Sequence, residues 1–160
     1  MEEESYNRSE NFDDIEYLIL KVFKYLQRGK QKLLEEFGLT GSQLELLGAI
    51  YHISKYQNIE VTQILLSQKT GIDPMTTSTI LRNLQKKGLI NRRESTTDTR
   101  ARIVELTNEG SELFEKAIIK IKEGRAFLLK NIDCEALKIQ LQSLLEEIHR
   151  LSKNIQLNII

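Results

Sequence analysis

The sequence predicts a mainly α-helical protein with one small β-hairpin. Three observations indicate this fold class. Apolar residues recur at three- and four-residue steps through most of the chain, as they do on one face of an amphipathic helix. The 160 residues include one proline and no tryptophan, a composition that favours long helices. Between residues 89 and 107, two short β-prone segments interrupt the helical pattern.

The first two predicted helices lie on either side of Gly38. The chain from Ile15 onward has an apolar face, and Gly38 is placed to end that helix. Thr40 and Gln43 then have the spacing of a capping box, which predicts a second helix up to about Ser54. The polar segment KYQN that follows is predicted to be a loop.

Two short helices are predicted next. The segment IEVTQILLSQKTG is interpreted as a helix that ends at Gly71. The following helix has Asp73 as its N-cap and Pro74 at its first helical position, and Gly88 closes it. Such a pair is typical of a helix-turn-helix, whose second helix can enter the DNA major groove. Because any helical bundle contains similar pairs, this pattern alone does not decide the function.

A predicted hairpin directly after these helices is more informative. The segments LINRRE and RIVELT are β-prone, and the polar stretch STTDTRA separates them. A helix-turn-helix followed by such a hairpin is a winged helix.

The C-terminal part is predicted to be helical again. One helix runs from about Asn108 to Lys130, and Asp133 is placed to cap a last helix whose apolar residues form a heptad seam. Such a stripe forms either a dimer interface or an intramolecular core. Because the long end helices are too many for one small winged helix to cover, we expect a symmetric homodimer. The predicted dimerisation residues are Ile15, Leu18, Ile19, Val22, Leu137, Leu141, Leu144, Ile148 and Leu151.

The complete prediction is a winged helix-turn-helix flanked by N- and C-terminal dimerisation helices. Residues 1–11 form an acidic N-terminus, for which order and disorder both stay open. The N-terminal dimerisation helix is expected within 12–38, the winged helix-turn-helix DNA-binding domain within 40–107, and the C-terminal dimerisation helices within 108–160.

Charge is unevenly distributed in a chain with 23 basic and 23 acidic side chains. Residues 82–102 contain seven basic and two acidic residues, a local net charge of +5, whereas residues 1–20 contain one basic and seven acidic residues, a net charge of −6. A clustered positive surface is typical of proteins that bind polyanions. A run of charge is also typical of any solvated face, so charge alone leaves both interpretations open.

The candidate DNA contacts follow from these elements. On the predicted recognition helix, Thr77, Ile80, Leu81 and Leu84 face inward, and the other face carries short hydroxyls, Arg and Asn that suit phosphates and base edges. Threonine and serine also tolerate an exposed helix without any ligand, which is the alternative. In the wing, a carboxylate can fix the turn so that a neighbouring arginine is held toward the minor groove, while further arginines neutralise phosphates. The predicted contacts are Thr76, Ser78, Thr79, Arg82, Asn83 and Lys86 on the helix, and Arg92, Arg93, Asp98, Arg100 and Arg102 in the wing.

Three motifs occur in the order and spacing of a known family. They are LTGSQLELL at 39–47, LRNLQKKGLINRR at 81–93, and Asp-Thr-Arg at 98–100 followed by Leu-Thr-Asn-Glu-Gly at 106–110. From about residue 12 to 153 the chain resembles the MarR family of winged-helix transcription regulators. The resemblance implies a dimer built from the terminal helices, a pseudo-palindromic double-stranded DNA site, repression of nearby genes, and release by a small, often aromatic effector.

Other functions find little support in the sequence. An enzyme is not expected, because there is no phosphate-cradling glycine loop, HExxH pattern or nucleophile with a base. We expect no cofactor or metal, since His52 and His149 lack ligand partners, and Cys134 is interpreted as an inert thiol or, alternatively, one activated by a helix N-terminus. The acidic N-terminus and the lack of a long apolar run predict a soluble, cytoplasmic protein without membrane contact. The main alternative function is a winged-helix protein-interaction module without DNA binding.

Overall fold

The computed structural model describes residues 14–57, 59–94 and 102–155, with side chains to residue 152. It has the predicted mainly helical fold with one antiparallel hairpin. The described residues up to Ile121 form one compact unit, and those from Lys122 form a second. In chain order the elements are α1 (Ile15–Glu35), α2 (Gly41–Tyr56), α3 (Gln63–Thr70), α4 (Pro74–Lys86), β1 (Ile90–Glu94), β2 (Arg102–Leu106), α5 (Asn108–Leu128) and α6 (Cys134–Ile155).

The core of the first unit lies where α2, α3, α4, the hairpin and the beginning of α5 meet. Ile90 and Val104 of the hairpin are buried in the same apolar cluster as Leu81 and Leu84 of α4. The hairpin is therefore anchored directly to α4 by shared apolar packing. The other buried members of this cluster are Leu34, Leu39, Leu44, Leu46, Leu47, Ile50, Ile53, Val61, Leu66, Leu89 and Ala117.

The junction between α1 and α2 is held by side chains that cap backbone groups. The predicted capping box is confirmed, because the Thr40 hydroxyl accepts from the Gln43 N–H at 3.2 Å and the Gln43 side chain accepts from the Thr40 N–H at 3.1 Å. Gln31 of α1 adds a second link, since its amide donates to the Leu39 carbonyl oxygen and accepts from the Gly41 N–H, both at 3.3 Å.

The segment before α3 corrects the sequence interpretation, which started this helix at Ile59. The helix begins only at Gln63, after Thr62 as N-cap, and the residues before it pair with β2. The Val104 N–H donates to the Val61 carbonyl oxygen at 2.8 Å. Because Val and Thr are β-branched and Val61 is buried, pairing with the hairpin satisfies this backbone better than a longer helix does. The preceding loop is also shorter than predicted, because α2 continues to Tyr56.

The two faces of the hairpin have different environments. The two strands pair antiparallel from Ile90 opposite Leu106 to Glu94 opposite Arg102. Side chains alternate between the two faces along each strand. One face packs on the core near the base of the hairpin and carries Arg92 and Arg102 nearer its tip. The predicted hairpin is thus confirmed for both strands.

Helix α6 makes up most of the second unit. Its start was predicted correctly, because the Asp133 Oδ1 accepts from the Ala136 N–H at 3.0 Å. Its heptad residues are exposed in the single chain, with Ile148 the least exposed of them at 37%. The seam is therefore not an intramolecular core within the described residues of this unit.

Candidate nucleic-acid interface

The start of α4 is fixed by Asp73 and Pro74. The Asp73 Oδ1 accepts hydrogen bonds from the backbone N–H groups of Met75 (3.1 Å) and Thr76 (2.9 Å). Pro74 occupies the first turn, where no N–H is required. Hydrogen bonds from the side chain and backbone of Thr76 lower the pKa of the Asp73 carboxyl. The predicted N-cap and first position of this helix are confirmed.

One face of α4 is held in the core. Thr77, Leu81 and Leu84 are fully buried, and Ile80 packs against the core cluster. The Thr77 hydroxyl donates to the Ile72 carbonyl oxygen at 3.2 Å, which satisfies this polar group inside the core. Because these residues recur at helical spacing, they fix which face of α4 remains in solvent.

The solvent face of α4 carries the predicted recognition residues. Arg82 donates to the Thr79 hydroxyl at 3.3 Å, and that hydroxyl donates to the Met75 carbonyl oxygen at 3.1 Å. Ser78 is half-buried at the side of this face. The helix therefore presents hydroxyl, amide and cationic groups together. The exposed members of the predicted set are Thr76, Thr79, Arg82, Asn83 and Lys86.

Three arginines, Arg82, Arg92 and Arg102, form a cluster that we call the arginine cluster. Arg92 Nη2 donates to Gln63 Oε1 at 3.1 Å, while its Nε is buried and has no hydrogen-bond partner among the described residues. Burial lowers the pKa of Arg92, and the nearby charges of Arg102 and Arg82 lower it further. Within the described chain, none of the three forms an ion pair with a carboxylate. A concentration of unpaired cations of this kind attracts an anion.

Arg93 has a different environment from its neighbour Arg92. Consecutive residues of a strand point to opposite faces, so Arg93 lies on the other face of the hairpin. Its Nε and Nη2 both donate to Glu105 Oε1, at 3.1 and 2.8 Å. This hydrogen bonding raises the pKa of Arg93. Of the two adjacent arginines, only Arg92 belongs to the arginine cluster.

The two lysines at the end of α4 are also distinct. Lys86 is exposed and contacts no carboxylate of the described chain within ion-pair distance. Lys87 is the C-cap residue, and its Nζ donates to the Gly38 carbonyl oxygen and, at 3.5 Å, to Gln43 Oε1. Lys87 therefore ties the end of α4 to the junction between α1 and α2.

Hydrogen bonds also join Thr107, just before α5, to the residues that follow α4. The Thr107 hydroxyl donates to the Gly88 carbonyl oxygen at 2.7 Å, and the Thr107 N–H donates to the Leu89 carbonyl oxygen at 3.1 Å. Gly110 allows the close approach, since a Cβ there would lie 1.9 Å from the Leu89 carbonyl oxygen. The Leu-Thr-x-x-Gly motif is explained by this contact between the exit of α4 and the start of α5.

Part of the predicted site lies outside the described residues. Asp98 and Arg100 belong to the segment 95–101, and their roles stay predictions from the sequence. Conversely, the structure brings Gln63 and Met75 to this side of the molecule, and the sequence analysis did not single them out. The spacing of Met75 from Thr79 was a usable signal, whereas the contact of Gln63 with Arg92 depends on tertiary packing.

An open cleft of about 700 Å³ lies on the Arg93 face of the hairpin, between β2, the end of α2 and the start of α5. Tyr51 in its wall donates to Glu115 at 2.8 Å and accepts from Lys55 at 2.8 Å. Hydrogen bonding to Tyr51 raises the pKa of Lys55. Apolar Ile103 and the Arg93–Glu105 ion pair also line the cleft, which therefore has both apolar and polar walls.

Cys134 is a free, exposed thiol, and His52 packs against the ring of Tyr56 with centroids 4.8 Å apart. Among the described residues, no group of three or more His, Cys, Asp or Glu is arranged to hold a metal ion. Within the same residues, every helix is too short or too polar to cross a lipid bilayer.

Comparison with known proteins identifies several similar regulators. The MarR family model matches residues 37–101. The HTH-type transcriptional regulator YdcH of Bacillus subtilis (strain 168) is 31% identical over 131 residues, which are 81% of this chain and 88% of that protein. YdgJ, an HTH-type transcriptional regulator of the same organism, is 30% identical over 118 residues, 74% of this chain. That alignment spans 66% of YdgJ, so a third of that relative lies outside it.

Solved structures share the fold. The S. aureus MepR–DNA complex has 25% sequence identity and a TM-score of 0.73, and the match covers 86% of this chain and 98% of that chain. CouR from Rhodococcus jostii RHA1, bound to p-coumaroyl-CoA, has 22% identity and a TM-score of 0.69, with 86% and 93% covered. The winged-helix architecture is therefore common to this chain and to these regulators.

Proposed function

The chain belongs to the MarR family of helix-turn-helix transcriptional regulators, which are not enzymes, and on that premise we propose that it is a homodimeric, cytoplasmic repressor. In this proposal it binds a pseudo-palindromic operator in double-stranded DNA and is released by a small aromatic effector. Its parts are the N-terminal dimerisation helix (12–38), the winged helix-turn-helix (40–107) and the C-terminal dimerisation helices (108–160).

The arginine cluster beside α4 is the observation that carries the proposal. Arg92 is half-buried, has an Nε without a hydrogen-bond partner in the described chain, and lies near two more cations. An arrangement of like charges is unfavourable in the free protein and becomes favourable when phosphates approach it. Its position next to the exposed polar face of α4 fits a helix that enters the major groove while the arginines contact the backbone.

The proposed contacts divide by chemistry. Arg82 and Asn83 have side chains that form paired hydrogen bonds with guanine and adenine, respectively. Thr76, Ser78 and Thr79 offer short hydroxyls to phosphates or bases, and Lys86 contacts a phosphate. Arg92 and Arg102 neutralise phosphates beside the helix. We rank Arg93 below them, because Glu105 already neutralises it.

The sequence supports a further DNA contact at the tip of the wing. Asp98 would accept hydrogen bonds that fix the turn, and Arg100 would then reach into the narrow, negative minor groove. Both residues lie outside the described part of the chain, and Arg100→Ala tests the proposed contact.

Homodimerisation is supported by apolar surface that the single chain leaves open. On α1, Ile15 is 68% exposed and Ile19 is 41% exposed, although both are large aliphatic residues. Helix α6 exposes its heptad seam in the same way. Contiguous apolar faces of this kind usually mark an interface, and a two-fold dimer is the commonest way to bury them. The proposed interface residues are Ile15, Leu18, Ile19, Val22, Leu137, Leu141, Leu144, Ile148 and Leu151.

We also propose that a small effector releases the DNA. The cleft lined by Tyr51 and Ile103 has room for a small aromatic molecule. CouR, which shares the fold, is known in complex with p-coumaroyl-CoA. A ligand would release DNA only if it bound the DNA-free conformation more tightly than the DNA-bound one.

A winged-helix protein-interaction module without DNA binding is the alternative function. Such a module has no need for unpaired arginines beside an exposed polar helix. The dependence of binding on salt separates the two, since the release of counterions from neutralised phosphates gives a steep loss of affinity.

The first test is binding of purified protein to DNA from immediately upstream of its own gene, by fluorescence anisotropy at several salt concentrations. Arg102→Gln removes one cation of the arginine cluster. The double variant Arg93→Gln/Glu105→Gln removes an ion pair without changing the net charge and is the matched control. We expect Arg102→Gln to reduce the slope of log K against log salt by about 0.9 per subunit, while the control keeps the wild-type slope.

Arg100→Ala extends the same test to the wing tip. It is expected to weaken DNA binding and to leave a dimer, which analytical ultracentrifugation detects. If wild type and variants bind every duplex equally weakly, and selection from genomic fragments also enriches none, the interaction module becomes the better explanation. A footprint without two-fold symmetry, or half-sites that are not about 10 base pairs apart, would contradict the dimer model.

A further inference from the structure

Met75 is the second residue of α4 and has an unusual environment for its type. Met75 is 82% exposed, and it is the only large hydrophobic residue of this fully described helix that is exposed to that degree. The apolar residues Leu81 and Leu84 of the same helix are fully buried. A single exposed apolar residue is common on protein surfaces, so its position on the helix must decide whether it has a role.

The position of Met75 places it on the proposed groove-facing side. Thr79 and Arg82 follow it at steps of four and three residues, which puts all three on one face. The chain of hydrogen bonds from Arg82 to the Thr79 hydroxyl and on to the Met75 carbonyl oxygen runs along that face. Met75 is thus the N-terminal member of this row, and the N-terminal residues of a recognition helix contact base edges.

The chemistry of the thioether side chain limits what it can recognise. It offers no hydrogen-bond donor and only a weak acceptor, so it discriminates by apolar contact. In the major groove, the 5-methyl group of thymine is the apolar feature of the base edges. The flexible methionine side chain can follow the shape of the groove without strain.

We propose that Met75 is a specificity-determining residue that contacts the 5-methyl group of a thymine in each operator half-site. This inference rests on the proposed function, because it requires α4 to enter the major groove. Removal of one buried methyl group costs roughly 0.8 kcal/mol, which corresponds to about a 4-fold weaker affinity for each thymine contact.

Deoxyuridine substitution isolates this contact. Uracil keeps every hydrogen-bonding group of thymine and lacks only the methyl group. Duplexes that bind the full-length wild-type protein are first selected from a random library, and each thymine of the selected sequence is then replaced singly by deoxyuridine. Affinities are measured for wild type, Met75→Ala, Met75→Leu and Thr79→Ser, and the melting temperature of each variant verifies that it is folded.

Thr79→Ser tests the competing assignment, because Thr79 is itself a proposed DNA contact and this change removes one methyl group from the same face while it keeps the hydroxyl. We expect one thymine per half-site at which uracil weakens wild-type binding by about 4-fold. That effect should disappear in Met75→Ala, persist in Thr79→Ser, and be retained in large part by Met75→Leu.

Two results overturn the inference, and they are distinguishable. If the wild-type protein selects no sequence, the proposed function fails and the role of Met75 fails with it. If a sequence is selected but Met75→Ala keeps the complete uracil profile of wild type, or the effect disappears in Thr79→Ser instead, DNA binding stands and the assignment to Met75 is wrong.

Discussion

Lys86 and Lys87 are adjacent and identical, and the structure predicts opposite consequences when each is replaced. Lys86 is exposed on the proposed DNA side of α4, whereas the Lys87 ammonium donates to the Gly38 carbonyl oxygen and to Gln43. Lys86→Gln and Lys87→Gln remove the same charge and leave side chains of the same size. The pair is therefore its own control for the loss of charge.

The expected magnitudes follow from these contacts. Each neutralised phosphate contributes about 0.9 to the slope of log K against log salt, so a dimer that lacks Lys86 should lose about 1.8. Between 50 and 200 mM salt, the wild-type protein should then lose roughly 12-fold more affinity than Lys86→Gln does. Lys87→Gln should keep the wild-type slope and lower the free energy of unfolding by about 1 kcal/mol, because it loses hydrogen bonds that hold the end of α4.

Fluorescence anisotropy over this range of salt, together with urea unfolding of the same preparations, measures both quantities. Equal reductions of the salt slope by the two variants would contradict this prediction, because Lys87 would then contact phosphate in spite of its intramolecular bonds. An unchanged slope in Lys86→Gln would show that the exposed face of α4 is not the DNA side.

Two further predictions concern the ends of α4. Gly110→Ala should lower the free energy of unfolding in urea by about 3 kcal/mol, because its Cβ would lie 1.9 Å from the Leu89 carbonyl oxygen. Gly41→Ala is the control and should be neutral or stabilising, because nothing beyond its chain neighbours lies within 4 Å of a Cβ there. Equal effects of the two changes would contradict this prediction. The pKa of Asp73 is lower in the folded state than in the unfolded state, so its charge stabilises the folded protein at pH values above the unfolded-state pKa. This stabilisation is lost as the pH falls through the folded-state pKa. The Tm of Asp73→Asn should thus lie below that of wild type at neutral pH, begin to approach it below about pH 4, and converge with it once the pH is below the folded pKa of Asp73. A gap that persists in acid would argue against this linkage.

The elements around α4 could be predicted because their signals are local. Asp73 and Pro74 encode the start of the helix, and the positive φ of Gly71 (70°) and Gly88 (72°) explains why glycine ends α3 and follows α4. The buried positions of α4 also follow from periodicity, since Leu81 and Leu84 recur on one face. Neighbouring residues determine each of these features, so no knowledge of the tertiary structure was needed.

The remaining features depend on contacts between distant segments. Val61 was assigned to a helix, yet it pairs with β2, which is more than 40 residues away in the sequence, because tertiary pairing overrides local propensity. The different environments of Arg92 and Arg93 arise from strand orientation together with Gln63 and Glu105, two residues that no sequence motif connects to them. The roles of Asp98 and Arg100 stay predictions.

If the proposed effector exists, the contacts at the end of α4 would connect its site to the proposed DNA-binding face. Lys87 joins this end to Gly38, in the turn that follows the proposed dimerisation helix α1, and Thr107 joins it to the start of α5. Gly110 lets the start of α5 approach the backbone of Leu89 so closely that a Cβ there would lie 1.9 Å from the Leu89 carbonyl oxygen. A ligand that changed the angle of α1 or the start of α5 would therefore have to displace the recognition helix or break these hydrogen bonds. In the proposed homodimer the spacing of the two recognition helices would have to match successive major grooves, so a small displacement at this joint would weaken operator binding.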